Sequence, residues 1–140
     1  MERRGAVEVT RVYHFSAAHQ LVHPARSPEE NAALYGPCAR PHGHNYYLEV
    51  TLAGVPDART GMAVDLDAVD RVVHATVLEQ VDHHRLEDAP VVAGVVTTGE
   101  GLARAFWVAL APALPAGRLR RVAVVETAKN RFEHAGEEVR

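Results

Sequence analysis

The order of segments in this sequence predicts an α+β domain: one four-stranded antiparallel sheet with two helices on one face. Three observations lead there. Strand-like segments stand in pairs toward both ends of the chain, two stripes of helical period stand between them, and turn residues separate the segments. The resulting order, β-β-α-α-β-β, puts a hairpin at each end, and hairpin strands pair antiparallel.

Residues 7–15 alternate roughly between apolar and polar and carry β-branched and aromatic side chains, so they read as the first strand. Residues 20–41 hold four prolines, a glycine and several charges and read as a long loop. Long ordered loops in small domains are often functional. Residues 45–52 read as the second strand, and Gly54 to Gly61 as a turn region. Asp65 suits a helix N-cap. Leu66, Val69, Val72, Val73, Thr76 and Val77 then form one buried stripe, with the helix ending near Gln80 or Val81. Residues 82–96 read mostly as loop, with a short extended piece at Val91 and Val92. Thr97 and Glu100 fit a capping box. It would open a second helix whose apolar face is Leu102, Ala105, Phe106, Ala109 and Leu110. Leu114-Pro115-Ala116-Gly117 breaks that helix. Residues 119–126 read as the third strand and residues 131–138 as a short fourth. The sheet face away from the helices would still carry Val, Leu and Tyr. A face of that kind packs against something, which predicts a homo-oligomer.

A chain of 140 residues predicts one domain, 1–140. With 47% hydrophobic and 24% charged residues, it has the composition of a globular protein. A net charge of −3, with only Arg118, Arg120 and Arg121 as a small basic cluster, gives no electrostatic case for nucleic acid. No apolar stretch approaches the roughly 18 residues of a membrane span. The opening Met1-Glu2-Arg3-Arg4-Gly5 leads into an alternating segment rather than a signal-peptide core. Together with a single cysteine, it predicts a reducing, cytoplasmic setting.

The chemistry concentrates in Cys38-Ala39-Arg40-Pro41-His42-Gly43-His44-Asn45-Tyr46. Strand residues i and i+2 face the same way, so His42 and His44 could aim two imidazoles at one metal, with Gly43 leaving room between them. His19, after Phe15-Ser16-Ala17-Ala18, could supply a third. Three histidines with a fourth position open are the catalytic form of a zinc site. Each histidine taken alone reads equally as a surface or hydrogen-bonded core residue. Cys38, with no partner for a disulfide, reads either as a small buried hydrophobe or as a reactive thiol.

At these residues the chain resembles the 6-pyruvoyl-tetrahydropterin synthase family, which includes 6-carboxytetrahydropterin synthases. The resemblance runs from about residue 7 to 134. Its marks are Phe15-Ser16-Ala17-Ala18-His19, Cys38 with His42-Gly43-His44-Asn45-Tyr46, and Gly61-Met62-Ala63-Val64-Asp65-Leu66. Val81-Asp82-His83, Thr98-Gly99-Glu100 and Glu126-Thr127 follow. It implies the tunnelling fold, in which subunits close their sheets into a trimeric barrel and two trimers stack into a hexamer with active sites between subunits. It implies 7,8-dihydroneopterin triphosphate as substrate, and elimination of triphosphate with rearrangement of the pterin side chain.

The resemblance also implies residue roles. His19, His42 and His44 would hold Zn2+; Cys38 would be the general base; Asp82 and His83 would be a proton-relaying pair. Glu126, Thr98 and Glu100 would grip the pterin ring. A carboxylate such as Glu126 can accept two parallel hydrogen bonds from an amino-pyrimidinone edge. Gly99-Glu100-Gly101 departs from the family pattern, which often has Ala or Thr before the Glu and Asn after it, so the pocket contacts there need not carry over. Cys38 stands four positions before His42, a compact spacing seen in carboxy-type enzymes. It implies a zinc-dependent lyase that makes 6-carboxytetrahydropterin for queuosine and deazapurine synthesis. The segment from Glu29-Glu30-Asn31 to Leu34-Tyr35-Gly36 resembles the pyruvoyl type instead, leaving a 6-pyruvoyl-tetrahydropterin synthase as the alternative. A non-catalytic zinc-binding oligomer is a third reading, opposed by the presence of Cys38, Asp82 and His83.

Overall fold

The computed structural model describes residues 5–137. Residues 1–4, and residues 138–140 with the expected end of the last strand, lie outside the described residues. The core is one mixed sheet covered on one side by helices. Strand β1 (Val7–His19) runs antiparallel to β2 (His42–Gly54), β2 to β4 (Leu119–Glu126), and β4 to β5 (Asn130–His134). The expected long strands are all present. The structure adds a fifth, β3 (His84–Arg85), and the order across the sheet is β3-β1-β2-β4-β5. β3 pairs with β1 in parallel, Ala17 beside His84 and Ala18 beside Arg85, so the sheet is not purely antiparallel. Two residues carry no readable alternation, which is why this strand escapes sequence reading. β1 also extends four residues past its expected end, to His19.

Three helices form instead of two. The extra one, α1 (Pro28–Tyr35), lies in the segment read as loop. Its start is well specified. The Ser27 hydroxyl accepts from the Glu30 N–H at 3.1 Å, the Glu30 carboxylate accepts from the Ser27 N–H at 2.9 Å, and Pro28 fills the first turn. Helix α2 (Leu66–Val73) is capped by Asp65 as expected and continues through a π-helical turn, His74–Leu78, to a last turn that ends at Val81. Helix α3 (Gly99–Leu110) is capped by Thr98, which accepts from the Gly101 N–H at 3.1 Å. The expected box of Thr97 with Glu100 does not form; the cap sits one residue later.

Between sheet and helices lie Phe15, Tyr46, Leu48, Val50, Val73, Val77, Leu102, Phe106, Val122 and Val124, all fully buried. Phe15 and Tyr46, opposite one another in the β1–β2 register, stack at 4.7 Å with their planes 11° apart. The other sheet face is more polar than expected. Val12 and Tyr47 are exposed there, but an ion-pair lattice crosses the strands from Arg121 to Glu8 at 2.6 Å and from Arg131 to Glu49 at 2.6 Å. The leucines of β2 all face the helices because they fall on alternate positions.

Helix α2 is tied to β1 by one polar cluster. Nε and Nη2 of Arg11 donate to the Asp70 carboxylate, at 3.0 and 2.8 Å, and the Tyr13 hydroxyl donates to it at 2.7 Å. These hydrogen bonds from Arg11 and then Tyr13 hold the Asp70 carboxyl down at about 2, from an ordinary 3.8. A group whose folded pKa is depressed adds stability that is present above its ordinary value and lost as pH falls through its folded value. Resistance to denaturant should therefore weaken as pH drops from 3.8 toward about 2, and Asp70→Asn should flatten that part of the profile. An unchanged acid profile in the variant would show that the cluster does not tie α2 to the sheet.

Candidate metal centre and active site

The β1–β2 register places the site. His19 stands directly across from His42, and Ala17 across from His44. His42, His44 and Tyr46 share the face toward the helices, since alternate strand residues do. Three rings thereby meet at one end of the sheet. Their centroids lie 4.5 Å (His19 to His42), 5.1 Å (His19 to His44) and 4.9 Å (His42 to His44) apart. One ligand nitrogen from each lies within 4.8 Å of the others. Gly43 is not needed for room, because a Cβ there would meet only the Ala17 carbonyl, at an ordinary 3.6 Å.

Each ring is turned by a bond at its other nitrogen. His19 Nδ1 lies 3.0 Å from the Thr97 carbonyl and 3.1 Å from its hydroxyl. His42 Nδ1 lies 2.7 Å from the Arg40 carbonyl, and His44 Nδ1 lies 2.7 Å from the Thr127 hydroxyl. A carbonyl can only accept, so His19 and His42 carry their proton on Nδ1 and present a bare Nε2. Metal-ligating histidines are oriented in this way. Burial, and then the neighbouring His42 and His44, push the His19 imidazole down to about 4, so it is neutral near pH 7. The donor set fits a divalent zinc ion with a position left open.

The other expected residues fall around this cluster at different distances. The Glu126 carboxylate stands 4.0 Å from His44 Nε2, at the end of β4 opposite Tyr46. Burial, with the charges of Glu126 and Glu87, pushes the Tyr46 phenol up. Thr98 caps α3 and Glu100 lies exposed in its first turn, so Glu100 is free of the capping role. The Gly99 departure has a packing reason: a Cβ there would meet the Phe132 ring at 2.0 Å. Asp82 and His83 sit at the sheet edge against β1. One Asp82 oxygen accepts from the Ser16 N–H at 3.0 Å and lies 2.9 Å from His83 Nδ1, while the His83 N–H donates to the Ser16 carbonyl at 2.7 Å. The Ser16 N–H, and to a lesser degree His83, hold the Asp82 carboxyl below the usual carboxylate range. His83 adopts a left-handed backbone, φ 61°, uncommon outside glycine and found where a site demands it. His83 and His44 line one open cleft of about 570 Å³.

Cys38 is not one of the clustered metal-ligating side chains among the described residues. It is exposed in a 3₁₀ turn, Gly36–Ala39. Its carbonyl accepts from the Leu21 N–H at 2.8 Å, which ties this turn to the chain just after His19. Sequence reasoning also missed that Thr97 and Thr127 bond His19 and His44 from far along the chain, and that Glu87 bonds Thr97. Only the adjacency of Thr97 to Thr98, and of Thr127 to Glu126, offered a signal.

An α+β sheet that gathers three oriented imidazoles beside the half-buried Glu126 and the edge pair of Asp82 and His83 matches the pterin-synthase class. The model of the 6-pyruvoyl tetrahydropterin synthase family matches residues 8–137, and the chain belongs to that lyase family. It is 41% identical over 132 residues to the 6-pyruvoyl tetrahydrobiopterin synthase of Poecilia reticulata, covering 92% of this chain and 90% of that one. The human protein of the same name is 39% identical over 138 residues, covering 96% and 95%. The solved 6-pyruvoyl tetrahydropterin synthase of Caenorhabditis elegans superposes with a TM-score of 0.88 at 34% identity, covering 98% of this chain and all of that one.

These matches overturn the carboxy-type product expected from sequence. The 6-carboxy-5,6,7,8-tetrahydropterin synthase of Bacillus subtilis matches over only 81 residues, 58% of this chain. The compact Cys38-to-His42 spacing misled because it fixes only the length of a link, a 3₁₀ turn followed by Arg40 and Pro41. Nothing in that link dictates which carbon of a substrate reacts. The pyruvoyl-like segment was the better guide, and it forms α1.

The purified chain should bind about one zinc ion, and His42→Ala should lose most of it in metal analysis, since two imidazoles hold zinc far less firmly than three. Full retention of zinc by that variant would remove His42 from the ligand set.

Proposed function

We propose that this chain is a zinc-dependent 6-pyruvoyl-tetrahydropterin synthase, acting on 7,8-dihydroneopterin triphosphate. The observation that carries this reading is the near full-length identity, 37–41%, to three proteins named 6-pyruvoyl tetrahydrobiopterin synthase. The three-histidine cluster supports the metal. A zinc ion held by His19, His42 and His44 would polarise substrate oxygens and acidify the neighbouring C–H bonds.

The protein's own groups take the remaining parts. Glu126, with Thr98 and Glu100, binds the amino-pyrimidinone edge of the pterin, and the nearness of Glu126 to His44 supports a pterin bound beside the metal. The Cys38 thiolate takes a proton from the side-chain carbon. Asp82 orients His83, which relays protons to and from the reacting side chain. The triphosphate leaves and the side chain rearranges within the pterin, so no external reductant is consumed. Cys38 and His83 are both exposed, which leaves them open to a site completed between subunits. The outer edge of β1, paired among the described residues at Ala17 and Ala18 alone, supports closure of the sheet against another copy, in a barrel of trimers and a hexamer. No helix among the described residues is long and apolar enough to cross a membrane. We place the enzyme in the cytoplasm on its single cysteine.

Incubating enzyme, zinc and substrate without a reductase should release triphosphate and accumulate 6-pyruvoyl-tetrahydropterin, identified by mass, with no two-carbon aldehyde. No release of triphosphate would refute the activity. Cys38→Ala should fold and keep zinc yet lose roughly 10²–10⁴-fold in turnover, the usual cost of removing a general base. A near-normal rate would make Cys38 a structural thiol.

A further inference from the structure

We infer that Glu87 and Thr97 form a relay that positions His19 as a metal ligand, an inference that rests on the three-histidine reading above. His19 is the most enclosed of the three histidines, 3% exposed, and stands on a different strand from the other two. Its ring must therefore be aimed by something other than the His42-Gly43-His44 geometry. The only bonds to its Nδ1 run to Thr97, at 3.0 Å to the carbonyl and 3.1 Å to the hydroxyl. Thr97 is itself buried, 2% exposed, and its hydroxyl donates to Glu87 Oε2 at 2.9 Å. With its proton given to a carboxylate, the hydroxyl oxygen can only accept from the imidazole. The carbonyl beside it can also only accept. Both acceptors thus require a proton on Nδ1 and leave Nε2 bare.

Glu87 does more than receive that proton. Its Oε1 accepts from the Gln20 N–H at 3.1 Å, one residue beyond His19, and from Arg85 Nε at 3.3 Å, on β3. One carboxylate thereby ties the end of β1, the edge strand β3 and the segment before α3 around a single imidazole. Its side chain is 23% exposed, so these bonds are only partly screened. A capping duty does not account for Thr97, because Thr98 caps α3. Nor is Glu87 needed as the ion-pair partner of a buried cation, since the Arg85 side chain is 52% exposed. Carboxylate and hydroxyl groups that orient a ligating histidine are worth about 10–100-fold in metal affinity or activity.

The test uses metal-free full-length protein and zinc alone, titrated against a chromogenic chelator, with His19 followed by two-bond ¹H–¹⁵N correlation. Wild type should bind zinc, and its metal-free His19 should show the proton on Nδ1. Glu87→Ala and Thr97→Val should bind zinc about 10–100-fold more weakly. Thr97→Ser, which restores the hydroxyl, should recover wild-type affinity, which general loosening of the fold would not explain. Wild-type affinity in both Glu87→Ala and Thr97→Val would overturn the relay while leaving the three-histidine site standing. A proton found on Nε2 of His19 in the wild type would also overturn it, with no variant needing to fold. A wild type without zinc affinity would overturn the three-histidine reading and the relay together.

Discussion

The register of β1 against β2 is the constraint on which the rest of the site depends. His19 opposite His42 and Phe15 opposite Tyr46 are two consequences of one alignment. A slip of one residue would turn every side chain of a strand to the other face. A slip of β1 would bring Phe15 to solvent and carry His19 to the face opposite His42 and His44. The stacked pair of Phe15 and Tyr46, with Phe106 edge-on at 6.1 Å, forms the apolar floor beneath the histidines. The hydrophobic drive that seats these rings therefore also brings the three imidazoles together. Stability and chemistry are fixed by the same alternation.

That alternation was readable because it is local. Strands β1, β2 and β4, the α2 stripe and the pairing of His42 with His44 all follow from side-chain period along a few residues. So does the Asp65 cap. The misses share a different cause. The capping-box spacing favours Thr97, with Glu100 three residues on, over Thr98, and the partners waiting in three dimensions reverse that choice. Thr97 meets His19 and Glu87, and Thr98 is left to cap α3. Helix α1 was hidden by prolines and charges that in fact mark its start. β3 is two residues long and exists only because Ser16 holds Asp82 and His83 beside it.

The product type was misread for the same reason. A loop length is visible in sequence, but the position of a reacting carbon is a tertiary quantity. The bonds of Thr97 and Thr127 also lay out of reach, since they cross 78 and 83 residues to histidines that do not announce a second bond. Thr127 and Ala128, at φ 51° and 55°, form a turn that usually favours Asn and Gly. This strained corner brings the Thr127 hydroxyl to His44, so part of the fold's conformational energy is stored beside the site.

The edge of β1 has a consequence for the life of a newly made chain. Before Ala17, no strand of the described residues lies along its outer side. A row of unpaired N–H and C=O groups of that length is a template for any extended segment that reaches it. On the ribosome and just after release, the chain is therefore open to nonspecific strand addition, which dilution would lessen and a high concentration of extended segments would promote. The polar lattice on the adjoining face, with Glu8 held by Arg121, places charge along this border and slows the wrong pairing without closing the edge.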